Sequence, residues 1–320
     1  MTTGFLYDSA YLQHDTGRSH PECADRLSRS IDYLQQQSWF ADLRTVTAKP
    51  IDPVWLQMIH QPDYIRHVQS ACENGAVYID SPDVSISSRS FEIALLASGG
   101  VLQLADALIT GKIDNGFALI RPPGHHAENH MALGFCLFNN IAITARYLQK
   151  QYGLDKIAIV DWDVHHGNGT QHSFTTDPSV FYISLHEYPL YPGTGAWNER
   201  GEGRGLGATL NCPQHAGATD RDYELAFHDK ILPALHRFKP EIILISAGFD
   251  AHRADPLANV RLSTEFFGWM TGALLEVADM YANGRLLSML EGGYDLDALP
   301  RCIASHLQVL SGYQVQQNYP

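Results

Sequence analysis

Residues 157–171 read I-A-I-V-D-W-D-V-H-H-G-N-G-T-Q. The first four, Ile157, Ala158, Ile159 and Val160, are small or branched and apolar, as a parallel strand covered on both faces requires. Two carboxylates and two imidazoles follow within six residues: Asp161, Asp163, His165 and His166. If the extended conformation persists beyond Val160, then Asp161, Asp163 and His165 share one face at a period of two. Trp162 and Val164 then lie on the other face. Such a convergence costs too much desolvation unless a cation sits within it, so the stretch predicts a metal site. The bland alternative is a polar strand end that turns through Gly167, Asn168 and Gly169 into a surface loop.

Outward from this stretch the same pattern recurs. Further strands are expected at 4–7 (an opening edge strand), 116–120, 180–184, 208–211, 241–246 and 285–290. Helices are expected from Pro21 to about residue 37, over 53–60, 63–73 and 88–110, over 137–152, from 219 to about 238, and from Ser263 to 283, with one more after 294. Residues 74–87 read as a loop carrying Asp80 and Asp83, and 189–207 as a Gly-rich loop. Strands alternating with helices imply an α/β fold, a single domain whose mainly parallel sheet is flanked by helices on both faces. Five of the strands end in polar clusters: R-P-P-G-H-H, D-W-D-V-H-H, S-L-H-E, A-G-F-D-A-H and E-G-G-Y. Ligands in open α/β sheets bind beyond the carboxyl ends of the strands, so these clusters are expected to meet in one site. No repeat or Pro/Ser-rich linker divides the chain; one catalytic domain is expected over 1–312, with a polar tail at 313–320.

Composition narrows the class. A chain of 320 residues, 45% hydrophobic and 18% charged, has the apolar content for a large core. No run of about eighteen apolar residues is seen, so no membrane span is expected, nor does the N-terminus read as a secretory signal. The five cysteines, Cys23, Cys72, Cys136, Cys212 and Cys302, contain no C-x-x-C pair. That favours reduced thiols and a cytoplasmic location. With 35 acidic against 22 basic residues the net charge is −13, which argues against direct nucleic-acid binding.

Asp250, at another strand end, supplies a third ligand beside Asp163 and His165. The O,N,O set leaves positions open for water and substrate, and suits zinc, Fe(II), Co(II) or Mn(II). His125 and His126 follow two prolines and a glycine, and beside a metal-bound water they are acid–base candidates. Tyr294, after Gly292 and Gly293, has a phenol able to donate to an oxyanion.

R-P-P-G-H-H, G-F-C-x-F-N-N (134–140), the 161–171 stretch, Y-P-G-T-G (191–195), A-G-F-D-A-H-x-x-D-P-L (247–257) and E-G-G-Y together resemble the zinc-dependent histone deacetylase family. The class II branch and its bacterial amidohydrolase relatives are the most similar. The resemblance implies the arginase/deacetylase fold and hydrolysis of an acetylated amine, with acetate and free amine as products. It assigns zinc to Asp163, His165 and Asp250, and pairs His125 with Asp161 and His126 with Asn168. It gives Tyr294 the acetyl carbonyl, and a structural potassium ion to Asp161, Ser184 and Leu185 together with Asp163 and His165. It lines an acyl-lysine tunnel with Gly134, Phe135 and Tyr191. In polyamine-specialised relatives a glutamate gatekeeper follows the D-P pair; here that residue is Leu257, which favours acetyl-lysine in peptides or proteins over acetylpolyamines. Asp80 or Asp83 could still attract a polyamine or anchor a peptide's backbone amides. The rivals are a two-metal ureohydrolase and a non-catalytic module binding acylated ligands; oligomeric state is unreadable.

Overall fold

The computed structural model describes residues 1–312, and the tail expected at 313–320 lies outside the described residues. Its strands are β1 (Thr3–Leu6), β2 (Arg44–Val46), β3 (Tyr78–Ile79), β4 (Ser81–Ser85), β5 (Asn115–Ala118), β6 (Ile157–Asp161), β7 (Val180–Glu187), β8 (Thr209–Gln214), β9 (Ile242–Ala247) and β10 (Leu286–Leu290). Eight of them form one sheet in the order β2-β1-β5-β10-β9-β6-β7-β8, with every neighbouring pair parallel. Every residue of β1, β5, β6, β7, β9 and β10 is buried, so both faces of the sheet are covered. The helices are α1 (Asp25–Leu34), α2 (Pro53–Leu56), α3 (Pro62–Glu73), α4 (Ser90–Ile109), α5 (Asn140–Tyr152), α6 (Asn168–Phe174), α7 (Asp220–Ala226), α8 (Leu232–Phe238), α9 (Thr264–Tyr281) and α10 (Ala298–Leu310). Helix α4 packs on β1, β5 and α5, while α9 packs on β9 and α10, and α10 on α1.

Several elements depart from the sequence reading, each for a physical reason. β1 is not the edge of the sheet, because β2 pairs outside it. That edge strand is three residues long and partly exposed, too short to leave an apolar pattern. The first long helix starts at Asp25 rather than at Pro21. The segment 74–87 is not a free loop: β3 and β4 pair antiparallel, and Ile79, Val84 and Ile86 are buried in a second apolar cluster with Leu137 and Phe138. The helix expected over 219–238 is three pieces, α7, a π-helical turn at Phe227–Ile231, and α8. Pro233, at the start of α8, has no N–H to give to the preceding turn and its ring crowds that turn, which is the usual cause of such a break.

Helix α4 is long and apolar enough to cross a membrane by length and composition, although Glu92, Gln103 and Asp106 interrupt its apolar run. Its Ile93, Ala97, Val101, Leu104 and Leu108 lie in the main core instead. Gly99 and Gly100 let it approach the chain closely, since a Cβ on Gly99 would meet the Lys49 carbonyl oxygen at 2.0 Å.

The parallel sheet sets all the polar clusters at one end. β5, β10, β9, β6 and β7 are consecutive in the sheet, and their carboxyl ends carry residues 121–126, 291–294, 248–250, 161–166 and 184–187.

Candidate active site

The convergence at β6 is not produced by strand alternation. The strand ends at Asp161, and the next residues turn. Each carboxylate then folds the chain back on itself: Asp163 N donates to Asp161 Oδ1 at 3.2 Å, and His165 N donates to Asp163 Oδ1 at 2.9 Å. Such side-chain-to-backbone bonds two residues apart are the ordinary device of Asx turns. Asp250, beyond β9, accepts the Val164 N–H at 2.8 Å, which locks the two strand ends together. His165 Nδ1 lies 3.1 Å from both Asp163 Oδ1 and Asp250 Oδ2. One ligand atom each from Asp163, His165 and Asp250 lie within 4.8 Å of one another, and all three residues are buried.

The surroundings leave space only for this cluster. A Cβ on Gly292 would meet Asp250 Oδ2 at 2.1 Å and Asp163 Oδ2 at 2.6 Å. The Gly292 N–H meanwhile donates to Asp163 Oδ2 at 2.7 Å. Burial and the neighbouring Asp163 charge push the Asp250 carboxyl up to about 7. Burial alone would lower His165, yet its bonds to Asp163 and Asp250 raise it to about 10. Two carboxylate oxygens and one imidazole nitrogen at this spacing are a donor set that could hold a divalent transition metal.

The tandem histidines lie beside it, with ring centroids 4.0 Å apart. His125 Nδ1 faces Asp161 Oδ2 at 3.0 Å, and His126 Nδ1 faces Asn168 Oδ1 at 2.8 Å. Burial would depress His125, but the Asp161 and Asp163 carboxylates outweigh it and raise its pKa to about 10. Burial, reinforced by His125 and His165, holds His126 well below the ordinary histidine value. The two rings are thus biased in opposite directions, His125 toward the imidazolium and His126 toward the neutral form. Burial also keeps the Tyr294 phenol well above 10, so it remains a donor.

Aromatic walls stand over the cluster. Tyr191 lies 5.2 Å from the His126 ring and 6.2 Å from the His165 ring, and Phe135 lies 5.8 Å from Tyr294. Gly134 holds φ at +55°, and a Cβ there would sit 2.2 Å from the His126 ring, so the G-F turn is glycine-bound for two reasons. The Tyr191 hydroxyl donates to Asp83 Oδ2 at 3.1 Å, while Asp83 Oδ1 is buried without a partner among the described residues. Asp80 is instead occupied by the Ala132 N–H and by His67. Leu257 is 37% exposed. Ser184 pairs in register with Asp161, its hydroxyl bonded to His186, and Leu185 is buried next to it.

Five further polar groups were not assigned from sequence. Glu291 is buried and accepts the Gly124 N–H at 2.6 Å and the His125 N–H at 3.1 Å. Asp255 accepts the Tyr294 N–H. The Tyr182 hydroxyl donates to Asp161 Oδ2 at 3.1 Å, the oxygen that faces His125. Arg26, fully buried, donates to the Gly293 and Glu291 carbonyls and lies 5.0 Å over the Tyr294 ring. Glu128 pairs with Asn168. Glu291 and Asp255 lie inside strand-end motifs, E-G-G-Y and A-G-F-D-A-H-x-x-D-P-L, and Glu128 follows R-P-P-G-H-H by two residues, whereas Tyr182 and Arg26 belong to none of these clusters.

A family model described as the histone deacetylase domain matches residues 20–310. A protein named probable deacetylase from Archaeoglobus fulgidus is 38% identical over 98% of this chain and 88% of its own length. Histone deacetylase 14, chloroplastic, of Arabidopsis thaliana is 38% identical over 95% of this chain and 75% of its own. Polyamine deacetylase HDAC10 of Mus musculus is also 38% identical, over 98% of this chain and 48% of its own. A crystal structure titled as the HDA15 HD domain superposes with a TM-score of 0.93 at 38% identity, covering 99% of this chain and 91% of that one.

Proposed function

This chain belongs to the histone deacetylase family and is a deacetylase, and from that premise we propose that it hydrolyses the acetyl amide of acetyl-lysine in peptides or proteins with the help of zinc. Asp163, His165 and Asp250 would hold the metal. A zinc ion there supplies Lewis acidity, drawing electron density from a carbonyl oxygen and making water more acidic. The same reading assigns a structural potassium ion to Asp161, Ser184 and Leu185.

The chain's own groups then divide the proton work. His126, neutral, takes a proton from water through Nε2. The Tyr294 phenol donates to the oxyanion that develops on the acetyl oxygen. A protonated histidine, His125 held as imidazolium by Asp161 or His126 returning its proton, serves the leaving amine. Phe135 and Tyr191 exclude water from the alkyl chain, and Asp83 Oδ1 is an acceptor for a substrate N–H.

The observation that carries the peptide reading is Leu257, an uncharged side chain on the rim loop that can form no ion pair with a distant ammonium. A second reading, acetylpolyamine hydrolysis, is favoured by the unpartnered Asp83 oxygen and by similarity to a relative named a polyamine deacetylase. Parallel turnover of an acetyl-lysine peptide, N-acetylputrescine and acetylspermidine by zinc-loaded protein decides between them. The peptide should show the higher kcat/KM; a preference for either polyamine overturns the reading.

A further inference from the structure

His126 can take a proton from water through Nε2 only if Nδ1 carries the ring hydrogen. Nδ1 faces the Asn168 side chain, which is a donor at one end and an acceptor at the other. Asparagine alone therefore satisfies either tautomer of His126, depending on which way its amide is turned. An aspartate would not allow that choice.

Glu128 removes it. Glu128 Oε1 lies 2.5 Å from Asn168 Nδ2, and the His126 carbonyl oxygen lies 3.3 Å from the same nitrogen. A carboxylate is an acceptor only, as is the carbonyl, so the amide nitrogen has to face them and the amide oxygen has to face His126. An oxygen there accepts, which places the hydrogen on Nδ1 and leaves Nε2 bare. The arrangement is buried: Glu128 is 9% exposed and Asn168 3%. Glu128 is itself fixed, by its N–H on the Met131 carbonyl and its own carbonyl on His60. On α6, one turn beyond Asn168, His172 sets Nδ1 2.7 Å from the same Glu128 oxygen.

We propose that Glu128 is a positioning residue for deacetylation: it orients the Asn168 amide and thereby sets the His126 tautomer that can act as base. H-H-A-E at 125–128 thus carries the base and, two residues on, the group that readies it. The effect on turnover rests on the deacetylase reading; the effect on the tautomer does not.

The test uses the full chain, zinc-loaded, with two measurements: steady-state kinetics on an acetyl-lysine peptide, and histidine 15N chemical shifts, which distinguish a protonated from a bare ring nitrogen. Unmodified protein should show His126 protonated at Nδ1. Glu128→Ala frees the amide, so the tautomers should mix and kcat should fall about tenfold or more, within what a general base contributes, with KM little changed. Asn168→Asp added to Glu128→Ala should restore both the tautomer and kcat to within about threefold, because a carboxylate accepts through either oxygen. Asn168→Asp alone sets two carboxylates against each other and should lose activity. Glu128→Gln preserves shape but presents an amide that can accept or donate, so it should loosen the tautomer as the alanine variant does, whether or not that variant folds. The proposal is overturned if Glu128→Ala leaves Nδ1 fully protonated, if the double variant regains neither property, or if Glu128→Gln leaves Nδ1 fully protonated. Absence of turnover in the unmodified enzyme would count against the functional reading while leaving the 15N result to judge Glu128.

Discussion

Asp255 holds Tyr294 by its backbone, accepting the Tyr294 N–H at 2.7 Å through Oδ2. Its other oxygen accepts the Leu257 N–H at 3.0 Å. One nearly buried carboxylate therefore links Leu257 to Tyr294. Asp255→Asn replaces one acceptor by a donor and leaves a backbone N–H unpaired, a loss of about 1–3 kcal/mol. We expect kcat to fall about tenfold or more. Because the effect passes through the phenol, the same change in a Tyr294→Phe background should cost far less than it does alone. Strictly additive losses in that double-mutant cycle would refute the link.

Tyr294→Phe should lower kcat by about 10² to 10³, the cost of one oxyanion donor, while metal content stays the same. Asp250→Ala should lose both activity and bound metal. Elemental analysis of the purified variants separates the two behaviours, and two equivalents of transition metal per unmodified chain would favour a two-metal hydrolase instead.

Leu257→Glu should shift the ratio of kcat/KM values toward acetylpolyamines by about tenfold, about 1.4 kcal/mol, the scale of one partly screened charge contact. An unchanged ratio would mean that Asp83, not position 257, reads the distal end of the substrate.

His306 offers a pH prediction outside the Asp163–His165–Asp250 cluster. It is fully buried among Phe117, Trp162 and Phe249, with Thr271 and Ser288 hydroxyls on its two nitrogens. Burial pushes its pKa down to about 3 from an ordinary 6.5. Between these values the unfolded chain binds the extra proton, so His306 makes stability fall as pH falls, by up to about 1.4 kcal/mol per pH unit. Glu291, pushed up to about 7 by burial, acts in the opposite sense, since its folded form binds the proton first. The comparison must therefore be between variants. His306→Asn should be less stable than the unmodified protein at neutral pH, with the difference shrinking from pH 6.5 to pH 4 in thermal melts. A constant difference would place the titration elsewhere.

The strand-end chemistry was legible because each cluster is local: the apolar run of β6 and the carboxylates after it are contiguous, and the parallel fold delivers them to one place. Asp163 and His165 do come together, though through Asx turns after Asp161 and not through strand alternation. Groups that act across long separations left no mark. Arg26 meets Glu291 and Gly293 across more than 260 positions, and no local pattern announces that pairing. Tyr182 looked like one more apolar strand residue, although its hydroxyl reaches Asp161. Loop 74–87 was misread because its buried residues, Ile79, Val84 and Ile86, are too widely spaced to announce a strand.

The clamp of Arg26 on the E-G-G-Y loop also dictates an order of assembly. Its guanidinium donates to the Gly293 and Glu291 carbonyls and to Glu22, which in turn binds Arg121. During synthesis Asp163 and His165 leave the ribosome well before residue 291. Until then Glu22 and Arg121 can pair, but Arg26 has no carbonyl to grip and the histidine loop lacks its Glu291 acceptor. β10 itself lies between β5 and β9, so until residues 286–290 are available the two halves of the sheet have nothing to join them. The last strand to be made thus closes the sheet and brings the loop that Arg26 grips.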